Sequence, residues 1–378
     1  MGCKGGTANF CRPVHPLATS CYCVVMKDAQ TVAGSGAETA EGGFPARMRP
    51  RGGVPYGAVD LGTNNCRLLV AVPEDSGFRV IDSFSRIVRL GQGLQEQGHL
   101  SGASIDRTIA ALKVCAGKLR RHRVRHLRCV ATEACRRAGN SREFLRRVRA
   151  ATGLELEIIT AEEEARLSFL GCAPIIDRRE GHALIFDIGG GSTELTWIRI
   201  FADGTMRILD TVSLPLGVVT MSERFGAGPV DAAVLAAMEA EARERVGAFF
   251  TANGIDKADE AEVQLLGSSG TVTTVAGYYL NLPRYDRSRV DNMLMDRETL
   301  LATMDELCSI GLRARERHPC IGRNRADLVV AGCAILRAIV CSGGFRRLRI
   351  ADRGLREGLL YEMMGQCNMV PGKVSAHG

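Results

Sequence analysis

Two short segments of this chain carry the same chemistry. An apolar run enters Asp60-Leu61-Gly62-Thr63-Asn64-Asn65 and leaves through Cys66 and Arg67 into Leu68-Leu69-Val70. Farther on, His182 to Phe186 enters Asp187-Ile188-Gly189-Gly190-Gly191-Ser192-Thr193 and leaves through Glu194-Leu195-Thr196-Trp197-Ile198. Each reads as strand, tight polar turn, strand, with a carboxylate closing the first strand. Glycine and hydroxyl residues let backbone amides approach an anion without side-chain obstruction, which is what holding phosphate requires. A lone glycine-rich turn is usually an ordinary hairpin. Two turns of one construction, each entered by an apolar strand ending in Asp, need a further reason. Gly267-Ser268-Ser269-Gly270-Thr271, between a predicted strand and a predicted helix, is a third donor loop. Asp60 and Asp187 would face the same anion. Carboxylates do not bind phosphate directly, so the expected mediator is a hard divalent cation such as Mg²⁺, or its waters. The simpler role for each Asp is to cap its own turn.

The surrounding pattern indicates an α/β fold. Tyr56 to Val59, Cys66 to Val72 and Arg79 to Phe84 read as strands, followed by a helix whose buried face is Ile105, Ile109, Leu112, Ala116 and Leu119, capped by Ser101 or Ser104. Then come a strand from His126 to Ala131, a helix from Ser141 to Ala150 capped by Ser141, and a strand from Leu156 to Ile159. Thr160-Ala161-Glu162-Glu163 fits a capping box with Glu163 reaching back to the Thr160 amide, which leaves Glu164 free near a helix N-terminus. Charged Asp177 to Gly181 marks a boundary, and the second half repeats the first: strands His182 to Phe186, Glu194 to Ile200 and Arg207 to Val212. Asp231 caps a further helix, a strand from Val263 to Leu266 enters the third loop, and helices dominate to the end. The organisation expected is a poorly ordered extension over 1–54, a lobe over 55–177, a second lobe over 178–366 and a frayed tail over 367–378.

The 378-residue chain is long enough for two domains and has no apolar run long enough to cross a bilayer. Cys3, Cys11, Cys21 and Cys23 lack the paired spacing of zinc modules, and the other cysteines are dispersed, which suits a reducing cytoplasm. The net charge of +7 is unevenly spread. Between Lys113 and Arg149 the chain places Lys118, Arg120, Arg121, Arg123, Arg125, Arg128, Arg136, Arg137, Arg142, Arg146 and Arg147 against only Glu133 and Glu143. Such a run suits an anionic ligand, although charged stretches are often solvated faces. It lacks the aromatic interleaving of single-strand nucleic-acid sites, so no specific nucleic acid is expected.

Duplicated lobes with phosphate turns at facing edges resemble the superfamily of actin, sugar kinases and heat-shock chaperone ATPases. That resemblance implies two ribonuclease-H-like lobes with the active site in the interlobe cleft. More narrowly, DLGTNNCRLLVA, VATEACRRAGN, EEEARLSFLG, IFDIGGGSTEL, SLPLG, LLGSSGTV and GLREGLL, in this order between Tyr56 and Glu362, resemble the exopolyphosphatase and guanosine pentaphosphate phosphohydrolase (Ppx/GppA) family. The resemblance is to its short, two-domain form. It implies that Glu164, immediately before Ala-Arg, is the catalytic base for water, that Glu194 is the second acidic residue, serving water or the cation with Asp60 and Asp187, and that Arg136 and Asn140 contact phosphate. At the position matching Glu194 the first repeat has Arg67, a candidate phosphate contact. The surplus arginines favour a chain of phosphates over the adenosine and second substrate of a kinase. Exopolyphosphatase action on inorganic polyphosphate is therefore expected first. Guanosine pentaphosphate hydrolysis and a catalytically silent polyphosphate-binding regulator are the alternatives, and a homodimer is compatible with the chain.

Overall fold

The computed structural model describes residues 22–26, 53–226, 231–259 and 262–371. In chain order these form β1 (Tyr22–Met26), β2 (Tyr56–Leu61), β3 (Asn65–Glu74), β4 (Gly77–Ile87), α1 (Leu94–Gln97), α2 (Gly102–Arg121), β5 (His126–Ala131), α3 (Glu133–Arg137), α4 (Ser141–Thr152), β6 (Glu157–Ile158) and α5 (Ala161–Cys172). The second half contributes β7 (Gly181–Ile188), β8 (Thr193–Ile200), β9 (Met206–Leu214), α6 (Val218–Phe225), α7 (Ala232–Ala252), β10 (Val263–Ser268) and α8 (Gly270–Tyr279). It closes with α9 (Arg287–Val290), β11 (Leu294–Asp296), α10 (Arg297–Ser309), α11 (Leu312–Arg317), α12 (Val329–Ser342), β12 (Arg347–Ala351), α13 (Leu355–Met363) and β13 (Cys367–Pro371).

The duplication read from the two turns extends to whole sheets. One sheet has the order β4-β3-β2-β5-β6, and the other contains β9-β8-β7-β10-β12, the same order of first, second and third strands with two parallel additions. In both, the first three strands are antiparallel and the next two parallel to the first. The second sheet is widened by β11 at one edge and by β1 and β13 at the other. That last pair corrects the expected ends of the chain, because residues 22–26 pair antiparallel with 367–371 and with β9. The rest of the expected extension and the tail beyond 371 lie outside the described residues.

Three apolar cores stack through the molecule. Helices α2 and α4 cover the outer face of the five-stranded sheet through Ile105, Leu112, Leu119, Phe144 and Val148. The larger helical set, including α7, α8, α10 and α12, covers the far face of the second sheet. Between the sheets lies a third core in which Leu167, Phe169 and Leu170 of α5 meet Leu355, Leu359 and Leu360 of α13, with Ala58 and Val130 from one sheet and Ile185 and Ile198 from the other. The expected lobe boundary at 177 thus separates the sheets but not the helices, since α13 belongs in sequence to the second half and packs on α5 and β2. Helices α5 and α13 meet through glycine. A Cβ at Gly358 would lie 1.9 Å from the Leu167 carbonyl oxygen, and one at Gly171 would lie 1.9 Å from that of Gly354.

Two local expectations are corrected. Asn140, not Ser141, stands at the start of α4, and its side chain makes no cap bond there. At α5 the Thr160 hydroxyl accepts from the Glu163 amide at 3.2 Å as expected, but the Glu163 carboxylate goes to Arg166 at 2.6 Å. The mouth of the cleft is spanned twice. Arg89 donates to Asp327 at 3.0 Å and to the Asn324 carbonyl at 3.3 Å, and the Gly93 amide donates to Glu223 at 3.0 Å.

Candidate active site

The two repeated turns face each other. A Cβ on Gly190 would come within 3.1 Å of the Asn64 Cβ, and one on Gly191 within 2.8 Å of the Thr63 hydroxyl. Their carbonyls are turned outward into the scaffold: Thr63 accepts from Gly91 at 2.9 Å, Asn64 from Val88 at 2.8 Å, Gly189 from Val218 at 3.0 Å and Gly190 from Val219 at 2.8 Å. Among the described residues the amides of Thr63, Asn64, Gly190, Gly191 and Ser192 donate to no backbone carbonyl. Unpaired donors on facing turns form an anion cradle. Ser269, Gly270 and Thr271 at the start of α8 line the same cleft, with the Ser269 hydroxyl capping that helix at the Thr271 amide, 3.1 Å away.

Register explains how the repeats differ. Asp60 of β2 is opposite Arg67 of β3, whereas Asp187 of β7 is opposite Glu194 of β8. Like charges directly opposite are destabilising unless something intervenes. Glu194 is buried and accepts from Ser192 at 2.6 Å and Ser213 at 2.8 Å, while Asp187 accepts from Ser268 at 2.9 Å. Burial, reinforced by the Asp187 charge and opposed by the serine hydroxyls, pushes Glu194 up to about 7. Burial likewise pushes Asp187 up to about 6 against the Ser268 hydrogen bond, and it raises Asp60 against the pull of Arg67. Glu164, at the start of α5, is not free. It accepts from Arg136 at 2.7 Å, and burial together with the Glu194 charge holds it well above the ordinary glutamate range despite that bond.

The cleft is lined by Asp60, Gly62, Thr63, Asn64, Asn65, Arg67, Glu164, Asp187, Gly189, Gly190, Gly191, Ser192, Glu194, Ser269, Gly270 and Thr271 among the residues expected from sequence. Five others do not line it. Asn140 is tied by both ends of its amide to the backbone of Leu100, at 2.9 and 3.0 Å. Thr193 donates to the Leu216 carbonyl, Ser268 supports Asp187, and Gly267 lies in β10, where a Cβ would strike Phe186. Arg136 is held by Glu164, Glu133 and the Ile159 carbonyl, so its guanidinium orients carboxylates. Among the described residues no three His, Cys, Asp or Glu side chains converge closely enough to bind a metal ion by themselves, Asp60, Asp187 and Glu194 included.

Sequence reasoning missed several lining residues. Arg325, in the loop before α12, reaches the cleft and forms no ion pair among the described residues, as does Arg67. Its signal was weak, one arginine in a polar loop. Val218, Val275, Leu328, Val329 and Cys333 form an apolar wall on the second-lobe side. Arg356, inside the GLREGLL segment, is part-buried where its charge acts on both Asp60 and Asp187.

The basic run is less uncompensated than its local sequence suggests. Its acids come from elsewhere: Asp82 for Lys118, Glu362 for Arg128, Asp106 for Arg147 and Glu155 for Arg149.

A duplicated α/β fold of this strand order, with facing amide cradles and carboxylates in the interlobe cleft, defines the two-lobed actin-like class. Within it, the model described as the Ppx/GppA phosphatase family matches residues 69–367, and the chain belongs to that family. A guanosine-5'-triphosphate,3'-diphosphate pyrophosphatase from Pseudoalteromonas atlantica is 32% identical over 317 residues, 82% of this chain and 58% of that protein. The protein of the same name from Aeromonas hydrophila is 30% identical over 82% of this chain and 59% of its own length. The chain therefore spans under two thirds of these relatives. The crystal structure of the Aquifex aeolicus Ppx/GppA family member is similar with 29% identity and a TM-score of 0.68, covering 83% of this chain and 98% of that one. An exopolyphosphatase from Cytophaga hutchinsonii shares the fold at 23% identity and a TM-score of 0.74, over 82% of this chain and 98% of that one.

Proposed function

We propose that the cleft hydrolyses the terminal phosphoanhydride bond of a linear phosphate chain, with guanosine pentaphosphate as the substrate. The observation that carries the reaction is Glu164, part-buried and oriented by Arg136, on the same cleft as the amide cradle. A water held by Glu164 attacks the terminal phosphorus in line and its proton passes to the Glu164 carboxylate; the bridging P–O bond breaks with its electron pair staying on the bridging oxygen of the shortened chain, and the terminal phosphorus departs as orthophosphate. The amides of Thr63, Asn64, Gly190, Gly191 and Ser192, with the guanidinium groups of Arg67 and Arg325, offset the charge on the phosphate oxygens.

Buried Glu194 and part-buried Asp60 and Asp187, all with raised pKa values beside a phosphate chain, leave a deficit of positive charge, and the buried Asn64 and Asn65 side-chain oxygens lack a donor. These features fit a divalent cation, which Asp60, Asp187 and Glu194 would hold with the help of other ligands. Such an ion supplies charge neutralisation at the transferred phosphate.

The apolar wall of Val218, Val275, Leu328 and Val329 supports the nucleotide, since a planar base has a surface to bury there and polyphosphate has none. The names of the two curated relatives point the same way. Exopolyphosphatase action is the second reading, favoured by the exposed arginines that begin near Glu133. Phosphate release measured in parallel from guanosine pentaphosphate and long-chain polyphosphate decides: kcat/KM is expected to be higher for the nucleotide, and a clear preference for the polymer reverses the order.

The polar span across the cleft mouth yields a further expectation. Removing a part-exposed ion pair costs about 0.5–1 kcal/mol, so Asp327→Ala is expected to raise KM roughly two- to fivefold with kcat nearly unchanged. Unaltered KM would mean that the Arg89 bridge does not help to hold the cleft closed on substrate.

A further inference from the structure

The proposed chemistry makes no use of the outer face of the first lobe, where the basic run forms a directed strip. Helices α2 and α4 lie side by side there, joined by Arg147 on Asp106 at 2.7 Å. Strands β2 and β5 are parallel, with Leu61 beside Ala131, so the cleft lies at their C-terminal ends and the α2-to-β5 connection at the opposite end. Helix α4 begins close after α3, whose first residue Glu133 lines the cleft. The two helices therefore run from the cleft rim to the far end of the sheet, about 30 Å for the length of α2. Lys113, Arg142 and Arg146 on this face are exposed and form no ion pair among the described residues. The same holds for Arg120, Arg121, Arg123 and Arg125 at the far end. Arg142 and Arg146 are one helical turn apart, and Lys113 and Arg120 are two turns apart, which aligns each pair along its helix. Of the acids nearby, Asp106 and Glu155 are already paired, leaving exposed Glu143.

We propose that the α2–α4 face is a second, non-catalytic binding site for linear inorganic polyphosphate, separate from the cleft. Guanidinium forks match phosphate oxygens two at a time, and a row of them suits a chain whose every unit is charged. RNA and single-stranded DNA fit less well. Helix α2 has no aromatic residue and the only one in α4, Phe144, is fully buried, so neither helix offers a platform for stacking bases. Binding here does not depend on which substrate the cleft turns over.

The test uses the full chain carrying Glu164→Gln, so that the ligand survives, with and without Arg120→Ala, Arg121→Ala, Arg142→Ala and Arg146→Ala together. Equilibrium binding is measured for long-chain polyphosphate, tripolyphosphate and single-stranded RNA over a range of salt concentrations. Loss of four surface contacts is expected to weaken long-chain binding roughly tenfold and to flatten its salt dependence, with tripolyphosphate binding unchanged. In the otherwise native enzyme the four substitutions should leave guanosine pentaphosphate turnover intact. The Arg142→Ala, Arg146→Ala pair serves if the fourfold variant loses its fold by circular dichroism. Unchanged long-chain binding overturns the site, equal weakening for tripolyphosphate assigns the arginines to the cleft instead, and RNA bound as tightly as polyphosphate overturns the ligand assignment.

Discussion

Glu164→Gln is expected to lower kcat by about three orders of magnitude, the scale of a lost general base, while substrate affinity measured at equilibrium stays close to that of the parent. The amide keeps the size of the side chain and one acceptor for Arg136, so the cradle is undisturbed. Two companion readouts separate catalysis from structure. The base must be ionised to act, and its pKa is raised by burial first and by Glu194 second, with Arg136 drawing it back. Activity should therefore climb with pH along a limb lying above the ordinary glutamate range, and Arg136→Gln should move that limb higher. Stability should shift in the opposite sense. A carboxyl whose folded pKa is raised binds protons more readily folded than unfolded, so its ionisation costs stability once pH exceeds the unfolded value, and the cost is complete above the folded value. Glu164→Gln removes that cost. Its melting temperature should exceed the parent's at alkaline pH and match it at acid pH below the ordinary glutamate range. Retained turnover, or an acid limb that ignores Arg136, would remove Glu164 from the chemistry.

Gly358→Ala is expected to destabilise the protein by about 3 kcal/mol, at the upper end for overpacking, and a larger residue there should prevent folding. The added carbon would sit 1.9 Å from the Leu167 carbonyl oxygen, which is backbone and cannot rotate away. Relief requires α5 and α13 to separate, and α5 carries Glu164 at its start. Residual folded enzyme should accordingly show reduced kcat as well. Gly247→Ala in α7 is the control: its Cβ meets nothing within 4 Å, so it should stabilise by about 0.8–1 kcal/mol through helix propensity alone. Equal denaturant midpoints for the two variants would refute the glycine contact as a determinant of the crossing.

The repeated units were legible because their information is local. Asp60 and Asp187 each end an apolar run, small residues follow, and the strand order that results is the same in both sheets. The pairing of Arg136 with Glu164 was not legible. Twenty-eight positions separate them, and helical periodicity reports which face is buried without reporting what covers it. Asn140 follows the expected pattern by position, yet its amide is consumed by Leu100, a contact set by the turn between α1 and α2. The charge surplus of the basic run was overestimated for the same reason, since Lys118 and Arg128 find Asp82 and Glu362 across the fold. Arg325 and Arg356 stand among polar or helical neighbours that give no sign of a cleft.

The core between the two sheets joins Ala58 to Tyr361, about three hundred positions later in the sequence. During synthesis, the five-stranded sheet can emerge with α2 and α4 already covering one face, but its other face must wait, still apolar, for nearly the whole chain to leave the ribosome. Contacts closed over such sequence separations form slowly. The first half by itself therefore leaves one apolar side uncovered, and dividing the protein at residue 177 should yield two fragments that are insoluble apart and recover a shared fold when expressed together.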